Sequence, residues 1–302
     1  MSDFTIGAVE VTKVPEWTGE IAPARFIVPD STPEIWRDNE SWLAPDHWHP
    51  ETDNYHGCVQ TWVLRSEGRT VLVDTGVGNG RDRPQIPLFD HLDTDFPARL
   101  AAAGVRPEDV DVVINTHIHY DHVGWNTVGG GHSWEPAFPN ATYVIPAVDQ
   151  RYFAPENAHR RPAPRDDFDR LRRKGSLLVY ADSVAPVLGR ATLWEGGYRV
   201  DANLTLEPAP GHTPGSSVLR VRSGGDRAVF VGDILHSPVQ IMEPAWNSCF
   251  CEDREQAAAT RRHVLEQAAD EREIVVPAHF AGAGAVEVKR DGSRFRVGRW
   301  VG

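Results

Sequence analysis

The sequence predicts a protein of the α/β class, and three features of the chain support this prediction. Short apolar runs rich in Val, Ile and Leu, such as residues 110–115, have the length and composition of buried strands. Segments of helical character, such as residues 96–104 and 255–270, lie between these runs. No change in composition marks a linker, so we expect residues 1–302 to form one domain.

Composition and charge exclude several classes of protein. Of the 302 residues, 40% are hydrophobic and 25% are charged, which is ordinary for a globular protein. The formal net charge of -12 argues against a nucleic-acid partner, because phosphate binding depends on Lys and Arg. No apolar run approaches the ~20 residues of a membrane helix, and residues 1–5 do not begin a secretory signal. We therefore expect a cytoplasmic protein that binds no membrane, with Cys58, Cys249 and Cys251 reduced.

The first half of the chain predicts a strand at residues 5–14 and a hairpin formed by residues 59–64 and 70–74. Between them, residues 15–55 carry prolines, aspartates and four tryptophans without a regular period. Aromatic content argues against disorder. We expect an irregular arm that serves as a lid over the pocket, packs on the body, or contacts a second copy in a homodimer.

The hairpin ends at Asp74, and a carboxylate there could accept the spare N–H of a ligand histidine or belong to a plain turn. A helix at residues 96–104 should end at its glycine, and a buried strand is expected at residues 141–145. Residues 147–190 look helical in pieces. The charged run at residues 165–174 is interpreted as the solvated face of a helix.

The second half of the chain repeats this pattern of strands that end in polar residues. Strands and a final hairpin are predicted at residues 204–207, 217–221, 228–233, 273–279 and 285–300. Three of these strands lead to His212, Asp233 and His279. His212 lies between glycine and proline residues, in a rigid turn that could fix an imidazole for coordination.

Residues 116–125 concentrate three histidines and one aspartate directly after a predicted strand. Imidazole and carboxylate groups are the ligands that a borderline divalent metal takes in proteins. In extended chain His117 and His119 point the same way, whereas the adjacent Asp121 and His122 point apart unless the chain turns. We therefore expect two metal ions, with a mononuclear site of three protein ligands and water as the alternative.

These residues, in this order, resemble the metallo-β-lactamase superfamily. Its pattern is His-x-His-x-Asp-His, a histidine in a Gly-His-Thr-x-Gly turn, a bridging aspartate and a late histidine. The matching positions are His117, His119, Asp121, His122, His212, Asp233 and His279. The resemblance implies an αββα sandwich, in which two mixed β-sheets lie face to face with helices on the outer faces.

The same resemblance implies how the ligands divide. One metal would be held by His117, His119 and His212, the other by Asp121, His122 and His279, with Asp233 bridging. The ligand types favour Zn2+, and manganese, iron and cobalt are alternatives.

The residues that follow Asp233 are similar to the branch that contains methyl parathion hydrolase and related lactonases. In acyl-homoserine-lactone lactonases a tyrosine lies three residues after the bridging aspartate, and this chain has His236 there. We interpret His236 as a donor to the developing oxyanion or the leaving group, with a packed strand-end histidine as the alternative. The best-known class of β-lactamases has cysteine at the position of Asp233, so antibiotic hydrolysis is not expected.

The resemblance implies a hydrolase in which two divalent ions lower the pKa of a shared water from ~15.7 to about 7. The hydroxide would attack a lactone or a carboxylic or aryl ester, with phosphotriesters as a side activity. Asp121 or Asp233 would move the proton, so we assign catalytic roles to Asp121, Asp233 and His236. The alternatives are a thioester hydrolase of the glyoxalase II type and a non-catalytic metal-bound scaffold.

The tryptophans near the predicted mouth of the pocket suggest what kind of molecule binds. Trp125, Trp134 and Trp246 are close in sequence to the candidate ligands or to the segment after them, and a place in the core is the alternative for each of them taken singly. Because binding pockets are lined mainly by apolar groups, we expect a small, apolar substrate.

Overall fold

Two β-sheets form the framework of the fold in the computed structural model, which describes residues 3–130 and 133–302. The strands, in chain order, are β1 (Asp3–Ile6), β2 (Val9–Pro23), β3 (Trp48–His49), β4 (Asn54–Ser66), β5 (Arg69–Val73), β6 (Val112–Ile114), β7 (Thr127–Gly130), β8 (Ser133–Pro136), β9 (Thr142–Pro146), β10 (Ala191–Trp194), β11 (Tyr198–Arg199), β12 (Leu204–Pro208), β13 (Ser217–Ser223), β14 (Asp226–Gly232), β15 (Ile274–Pro277), β16 (Ala285–Asp291) and β17 (Arg294–Val301).

The helices lie mainly in the connections between strands. The α-helices are α1 (Ala24–Ile27), α2 (Pro33–Asp38), α3 (Glu40–Leu43), α4 (Phe96–Ala102), α5 (Ala147–Phe153), α6 (Asp167–Val179), α7 (Val239–Met242) and α8 (Arg254–Glu271). Short 3-10 helices cover Pro87–Phe89, Pro107–Asp109, Gly124–Asn126, Pro155–Arg160 and Ala185–Arg190, and a π-helical turn covers Tyr180–Val184. Among these helices of the described residues, none is both long and apolar enough to cross a lipid bilayer.

Each sheet mixes parallel and antiparallel pairs. In the first sheet the order is β1-β2-β4-β5-β6-β9-β10, with β3 added beside β4. The pairs from β5 through β6 and β9 to β10 are parallel, whereas β1, β2, β3, β4 and β5 pair antiparallel. The second sheet runs from β11 to β17 in chain order, and its one parallel pair in the described residues is β14 with β15. The strands β7 and β8 form a separate hairpin.

The two sheets pack face to face because their strands alternate apolar side chains between two covered faces. On β5, Val71 and Val73 enter the cluster between the sheets, where they meet Leu219 and Phe230 of the second sheet. Leu72, between them in sequence, points to the opposite face. Full burial of a side chain of this size stabilises the fold by roughly 1.5–3 kcal/mol.

Helices cover both outer faces. Leu100 of α4 and Val179 of α6 pack on the outer face of the first sheet. Val264 and Leu265 of α8 pack on the outer face of the second sheet. The order of layers is therefore helix, sheet, sheet, helix, which confirms the predicted αββα sandwich.

The prediction of an irregular segment at residues 15–55 is wrong for much of its length. The strand β2 continues to Pro23 and pairs with β4, and short helices follow. The register shifts between Pro15 and Trp17, which lets the chain accommodate a proline that donates no hydrogen bond. Beyond Pro23 the segment packs through its own aromatic cluster, with Trp36 and Trp48 buried. Sequence patterning missed this order because bulges interrupt the alternation of the strand.

Candidate metal centre

The predicted ligands lie on loops at the carboxyl ends of buried strands. The strand β6 is buried throughout, and the loop that carries His117 follows it directly. The second sheet supplies the remaining positions, since β12, β14 and β15 lead to His212, Asp233 and His279. The carboxyl ends of such strands are where open α/β sheets hold ligands.

Buried carboxylates hold the histidine-rich loop in place. The backbone N–H of Thr116 donates to Oδ1 of Asp74 over 2.8 Å, and the Thr116 hydroxyl donates to Oδ2 of the same residue over 2.9 Å. The backbone N–H of Ile118 donates to Oδ2 of Asp149 over 3.0 Å. The loop is therefore fixed from both sides before any ligand binds.

A close approach of the two sheets brings Asp233 to this loop. Gly232 has φ +48°, and a Cβ atom there would lie 2.8 Å from Oγ1 of Thr116. Glycine tolerates both this backbone conformation and this contact. Ser217 adds two hydrogen bonds to the carbonyl of Thr116, from its N–H over 3.0 Å and from its hydroxyl over 2.8 Å.

The first group of ligand atoms consists of three imidazoles and one carboxylate oxygen, all within 4.8 Å of one another. Nδ1 of His119 lies 3.1 Å from Nε2 of His117 and 2.9 Å from Nε2 of His212. Oδ2 of Asp233 lies 3.1 Å from Nε2 of His212 and 3.6 Å from Nε2 of His117.

The second group consists of Asp121, His122 and His279, which also lie within 4.8 Å of one another. Oδ1 of Asp233 is 3.2 Å from Nε2 of His122 and 2.9 Å from Nε2 of His279. Asp121 closes the group, with oxygens 3.8 Å from His122 and 3.6 Å from His279. Asp233 thus presents one oxygen to each group.

Neighbouring groups set the orientation of the rings in the second group. Nδ1 of His122 lies 2.8 Å from Oδ2 of Asp74, and Nδ1 of His279 lies 2.9 Å from the carbonyl of Cys58. With Nδ1 as the donor in each case, the lone pair of Nε2 points toward Asp121 and Asp233. Of the two alternatives for Asp74, the contact with His122 favours a carboxylate that accepts a histidine N–H over a plain turn.

Burial dominates the electrostatics of the first group. It lowers the pKa of His117 and His119 well below the usual value and that of His212 to about 3. Burial alone would raise the pKa of Asp233, but the surrounding histidines hold it well below its ordinary value. Neutral imidazoles and an ionised carboxylate are the forms that coordinate a metal.

The second group carries an excess of negative charge. Burial lowers the pKa of His122, yet the carboxylates of Asp233, Asp74 and Asp121 together raise it well above the ordinary value. A divalent cation in this group would therefore take the place of a proton.

The spacing of the donor atoms fits divalent cations. Four ligands in tetrahedral geometry around a zinc ion stand about 3.3 Å from one another, and the four contacts of the first group span 2.9–3.6 Å. Nε2 of His122 and Oδ1 of Asp233 are buried without a hydrogen-bond partner among residues 3–130 and 133–302. Buried polar atoms left in this way are costly, and a cation between them would remove that cost.

His236 lies beside the first group rather than at the end of an unrelated strand. Its Nε2 is 3.1 Å from Oδ2 of Asp233, and its ring stacks on Phe250 with centroids 5.7 Å apart. Burial lowers the pKa of His236, so the ring is neutral at pH 7 and carries one N–H.

A pocket opens over the two groups and encloses about 910 Å³ of space, part of it continuous with solvent. Asp121, His236 and His279 lie at its floor. Its walls include the apolar side chains of Ile21, Ile27, Ile86, Phe89, Ile118, Phe153, Val179 and Phe250. Ile21 and Ile27 belong to the segment 15–55, so this segment contributes to the pocket wall.

Two expectations about the surroundings of the site are wrong. Trp125, Trp134 and Trp246 are absent from the described pocket lining. Trp125 instead stacks on Phe96 inside the core. The charged run at residues 165–174 is only partly solvated, because the side chain of Arg172 is 11% exposed and lines the pocket.

Sequence reasoning also missed Asp149, which connects two of the ligand-bearing loops. Its carboxylate accepts hydrogen bonds from Ile118 N over 3.0 Å, from the Thr213 hydroxyl over 2.7 Å and from Gly215 N over 2.6 Å. These partners flank His117, His119 and His212. A carboxylate three residues after the end of the strand β9 was the signal that could have found it.

Comparisons with known proteins agree with this geometry. Residues 57–279 match the metallo-beta-lactamase superfamily. A segment of 127 residues is 31% identical to the N-acyl homoserine lactonase AttM of Azorhizobium caulinodans and covers 41% of each chain. A segment of 138 residues is 32% identical to AttM of Agrobacterium fabrum and covers 45% of this chain and 44% of that protein. The match therefore spans less than half the length of these relatives.

Solved structures extend the similarity to almost the whole chain. A hydrolase called AbOPH, of the beta lactamase superfamily, superposes with a TM-score of 0.79 at 21% identity, covering 98% of this chain and 96% of that one. AidC, a dizinc quorum-quenching lactonase in complex with a product, superposes with a TM-score of 0.77 at 19% identity, covering 98% and 95%. At 19–21% sequence identity, these superpositions show that the fold is shared. Because the sequence match covers most of the chain and the fold agrees with it, the chain belongs to the metallo-β-lactamase superfamily.

Proposed function

We propose that the protein is a metal-dependent hydrolase that opens lactones and cleaves carboxylic esters. The observation that carries this proposal is the position of Asp233, whose two oxygens face two separate groups of ligand atoms. The names of the curated relatives, N-acyl homoserine lactonases, support a lactone as the substrate.

Seven side chains would hold two cations. The first cation would be bound by His117, His119 and His212, the second by Asp121, His122 and His279, and Asp233 would be shared. Three imidazoles and a carboxylate favour zinc, while manganese, iron and cobalt accept the same ligands.

When bound, the two cations would lower the pKa of a water molecule toward neutrality and polarise the carbonyl of the substrate. Asp121 lies at the floor of the pocket, and each of its oxygens faces one histidine, at 3.8 Å and 3.6 Å. It can take up the proton released during the attack and return it to the leaving alkoxide. Asp233 is less free to do so, because its Oδ1 faces two imidazole rings and its Oδ2 faces three.

His236 would act on the oxygen that gains charge during the reaction. Its Nε2 lies 3.1 Å from Asp233, and the residue lines the pocket, where an N–H of the ring would donate to a substrate oxygen. A preorganised donor at this position stabilises negative charge without reorganisation at the moment of reaction. Phe250, stacked on the ring, limits its movement.

The apolar walls would bind the acyl or alkyl part of the substrate and exclude bulk water. Phe89 and Phe153 are buried residues that line the pocket, and Ile27 of the segment 15–55 lines it as well. Such surroundings strengthen every electrostatic interaction at the floor of the pocket, because charges attract more strongly in a low dielectric.

The proposal is tested by comparing substrates on one metal-loaded preparation. The panel contains N-hexanoyl homoserine lactone, p-nitrophenyl acetate, paraoxon and a glutathione thioester, with metal content measured in parallel. We expect turnover of the lactone and the aryl ester, and its loss in the presence of a chelator.

Each other outcome identifies an alternative. Turnover of the thioester alone would indicate a hydrolase of the glyoxalase II type, which uses the same centre with another pocket. Turnover of paraoxon in addition to the lactone would add a phosphotriesterase side activity. A metal-loaded protein that turns over none of the four would favour a non-catalytic scaffold and contradict the proposal.

A further inference from the structure

One side of the pocket is cationic, although the chain as a whole carries a formal net charge of -12. Arg161, Arg172 and Arg173 all line the pocket, and they follow one another along the segment that ends in α6. Neither the shared Asp233 nor the apolar walls require positive charge on this side of the pocket. The arginines therefore need an explanation of their own.

The contacts of Arg161 leave part of its guanidinium without a partner. Its Nε donates to the carbonyl of Tyr152 over 2.9 Å, and its Nη1 donates to the hydroxyl of Ser176 over 2.9 Å. Its Nη2 is buried and has no hydrogen-bond partner among the described residues. The guanidinium carbon lies 5.0 Å from the ring centroid of Tyr152 and 5.1 Å from that of Phe153.

Arg161 is also without a counter-charge of its own. Within the described parts of the chain, no carboxylate oxygen lies within 4.0 Å of its guanidinium nitrogens. Burial lowers the pKa of Arg161; Tyr152, Glu252 and Asp149 oppose this effect, and the nearby charge of Arg173 adds to it. A guanidinium remains charged under these conditions, and no directly paired carboxylate offsets its partial desolvation.

The neighbouring arginines are only partly neutralised. Arg172 lies 3.7 Å from Asp169 and 3.6 Å from Glu252, and Arg173 lies 3.1 Å and 3.8 Å from the same two carboxylates. Arg165 also contacts Asp169, at 3.6 Å. Nη1 of Arg172 and Nε of Arg173 are buried and lack a hydrogen-bond partner among the described residues.

The charges of this cluster do not balance. Four guanidinium groups, Arg161 included, stand against the carboxylates of Asp169 and Glu252 in this cluster. Of these groups, three guanidinium groups and one carboxylate, that of Glu252, line the pocket. A purely structural network would bring each guanidinium to a carboxylate. Arg161 does not take part in such a pair, its Nη2 is buried without a hydrogen-bond partner among the described residues, and the residue is one of those that line the pocket.

We propose that Arg161, assisted by Arg172, binds a carboxylate on the substrate, so that the natural substrate is an anionic lactone or ester rather than a wholly apolar one. This inference rests on the proposed function, since it names the class of substrate that the same pocket takes. Guanidinium and carboxylate groups match in charge and in planar geometry. The apolar walls would cover the remainder of the molecule.

The experiment compares two γ-lactones that differ only in charge, 5-oxotetrahydrofuran-2-carboxylate and its carboxamide. The zinc-loaded wild type should turn over the carboxylate with a kcat/KM at least about tenfold higher than that of the carboxamide. Arg161→Gln should lower kcat/KM for the carboxylate by about 10- to 100-fold and leave the carboxamide within about threefold, because charge-assisted hydrogen bonds have this strength. Arg161→Lys, which keeps the charge, should retain part of the preference.

The matched control is Arg170→Gln, which removes one positive charge from α6, the helix that carries Arg172 and Arg173, at a side chain that is 65% exposed. This control should leave kcat/KM unchanged for both lactones. Calorimetry supplies a readout that does not depend on turnover. The wild type should bind 2-hydroxyglutarate, the product of the carboxylate, at least about tenfold more tightly than 4-hydroxybutyrate, and Arg161→Gln should abolish the difference.

The inference is overturned if the wild type does not prefer the carboxylate, or if Arg161→Gln affects both lactones equally. The second result would assign Arg161 to the support of the fold, and a lowered melting temperature would accompany it. Failure of the proposed function looks different, because neither lactone would then be turned over at all. Calorimetry would still decide in that case whether Arg161 distinguishes the two acids.

Discussion

At the scale of single residues, Asp233 connects the two halves of the site. It follows β14 of the second sheet, and its oxygens lie 3.1 Å from His212, 3.2 Å from His122 and 2.9 Å from His279. A carboxylate in this environment stays ionised only because the groups around it supply positive charge. Two shared cations would supply that charge without leaving the histidines protonated.

His117→Ala should cost the protein one cation and most of its activity. The residue is buried, and its Nε2 faces His119 and Asp233. We expect metal content to fall from about two equivalents to about one, and kcat/KM for a lactone to fall by at least about 100-fold. Elemental analysis and lactone assays on the same sample measure both. His91→Ala is the control, because that side chain is 62% exposed and is not among the residues that line the pocket. Normal metal content and activity in His117→Ala would refute the ligand assignment.

His236→Phe separates a catalytic role of this ring from a packing role. Phenylalanine can keep the stacking on Phe250 but has no N–H to donate. We expect kcat to fall by about 10²–10³-fold, with metal content unchanged and KM within about threefold, since a lost donor to a developing charge has this effect. The control is His47→Phe, another buried histidine stacked on an aromatic ring, with centroids 4.8 Å from Trp300. An unchanged kcat in His236→Phe would mean that the ring has only a packing role. A loss of metal in this variant would indicate that His236 is a metal ligand.

At the scale of elements, the sequence predicts the strands that carry ligands better than the segments that build the pocket. The strands β6, β12, β14 and β15 were each predicted from a short apolar run followed by His or Asp. The runs of β6, β14 and β15 are recognisable because most of their residues are buried on both faces of the strand, whereas β12 alternates buried and partly exposed residues. The composition of each strand alone is therefore enough to reveal it.

The pocket walls could not be predicted in this way, because they depend on contacts between distant parts of the chain. Arg172 looks like part of a solvated face until Phe250 and Glu252, far away in sequence, come to lie on it. The continuation of β2 beyond Pro15 depends on its pairing with β4 and on a shift of register. Neither contact leaves a periodic signal within one segment.

Glu16 on the strand β2 offers a test of how this element is fixed. Its carboxylate accepts hydrogen bonds from Val77 N over 2.6 Å, from Gly78 N over 3.0 Å and from Trp125 Nε1 over 2.6 Å. Burial raises the pKa of Glu16 to about 7 from its ordinary value of 4.5, although these donors oppose the rise.

This shift fixes the sign of a pH dependence. Between about pH 4.5 and pH 7 the folded protein retains a proton that the unfolded chain has released, so the stability contributed by Glu16 falls as the pH rises. Over that range the wild type should lose about 2–3 kcal/mol relative to Glu16→Gln, whose side chain does not titrate. Urea unfolding of both proteins at several pH values measures the difference. A constant difference across this range would contradict the raised pKa.

At the scale of the whole molecule, both sheets are needed to complete the set of candidate metal ligands. The first sheet supplies His117, His119, Asp121 and His122, and the second supplies His212, Asp233 and His279. Cations shared by the two sheets would therefore stabilise the contact between them as well as the site. We infer that the chain unfolds as one unit, as expected for a single domain.

Removal of metal should accordingly lower the stability of the whole fold. A ligand that binds only the folded state at about 1,000 times its Kd adds roughly 4 kcal/mol. For a chain of this size we expect chelation to lower Tm by on the order of 10 °C in one cooperative transition. Calorimetry with and without a chelator measures the shift, and readdition of zinc should reverse it. An unchanged Tm, or a separate early transition of one sheet, would contradict this view of the molecule.

The most direct test of the account is a titration of the metal-free protein with zinc while lactone hydrolysis is followed. If two cations share Asp233, the rate should rise with added metal and stop rising at about two equivalents per chain. A rate that saturates at about one equivalent would contradict a dinuclear centre. A rate that does not depend on metal at all would contradict the role assigned to these seven side chains.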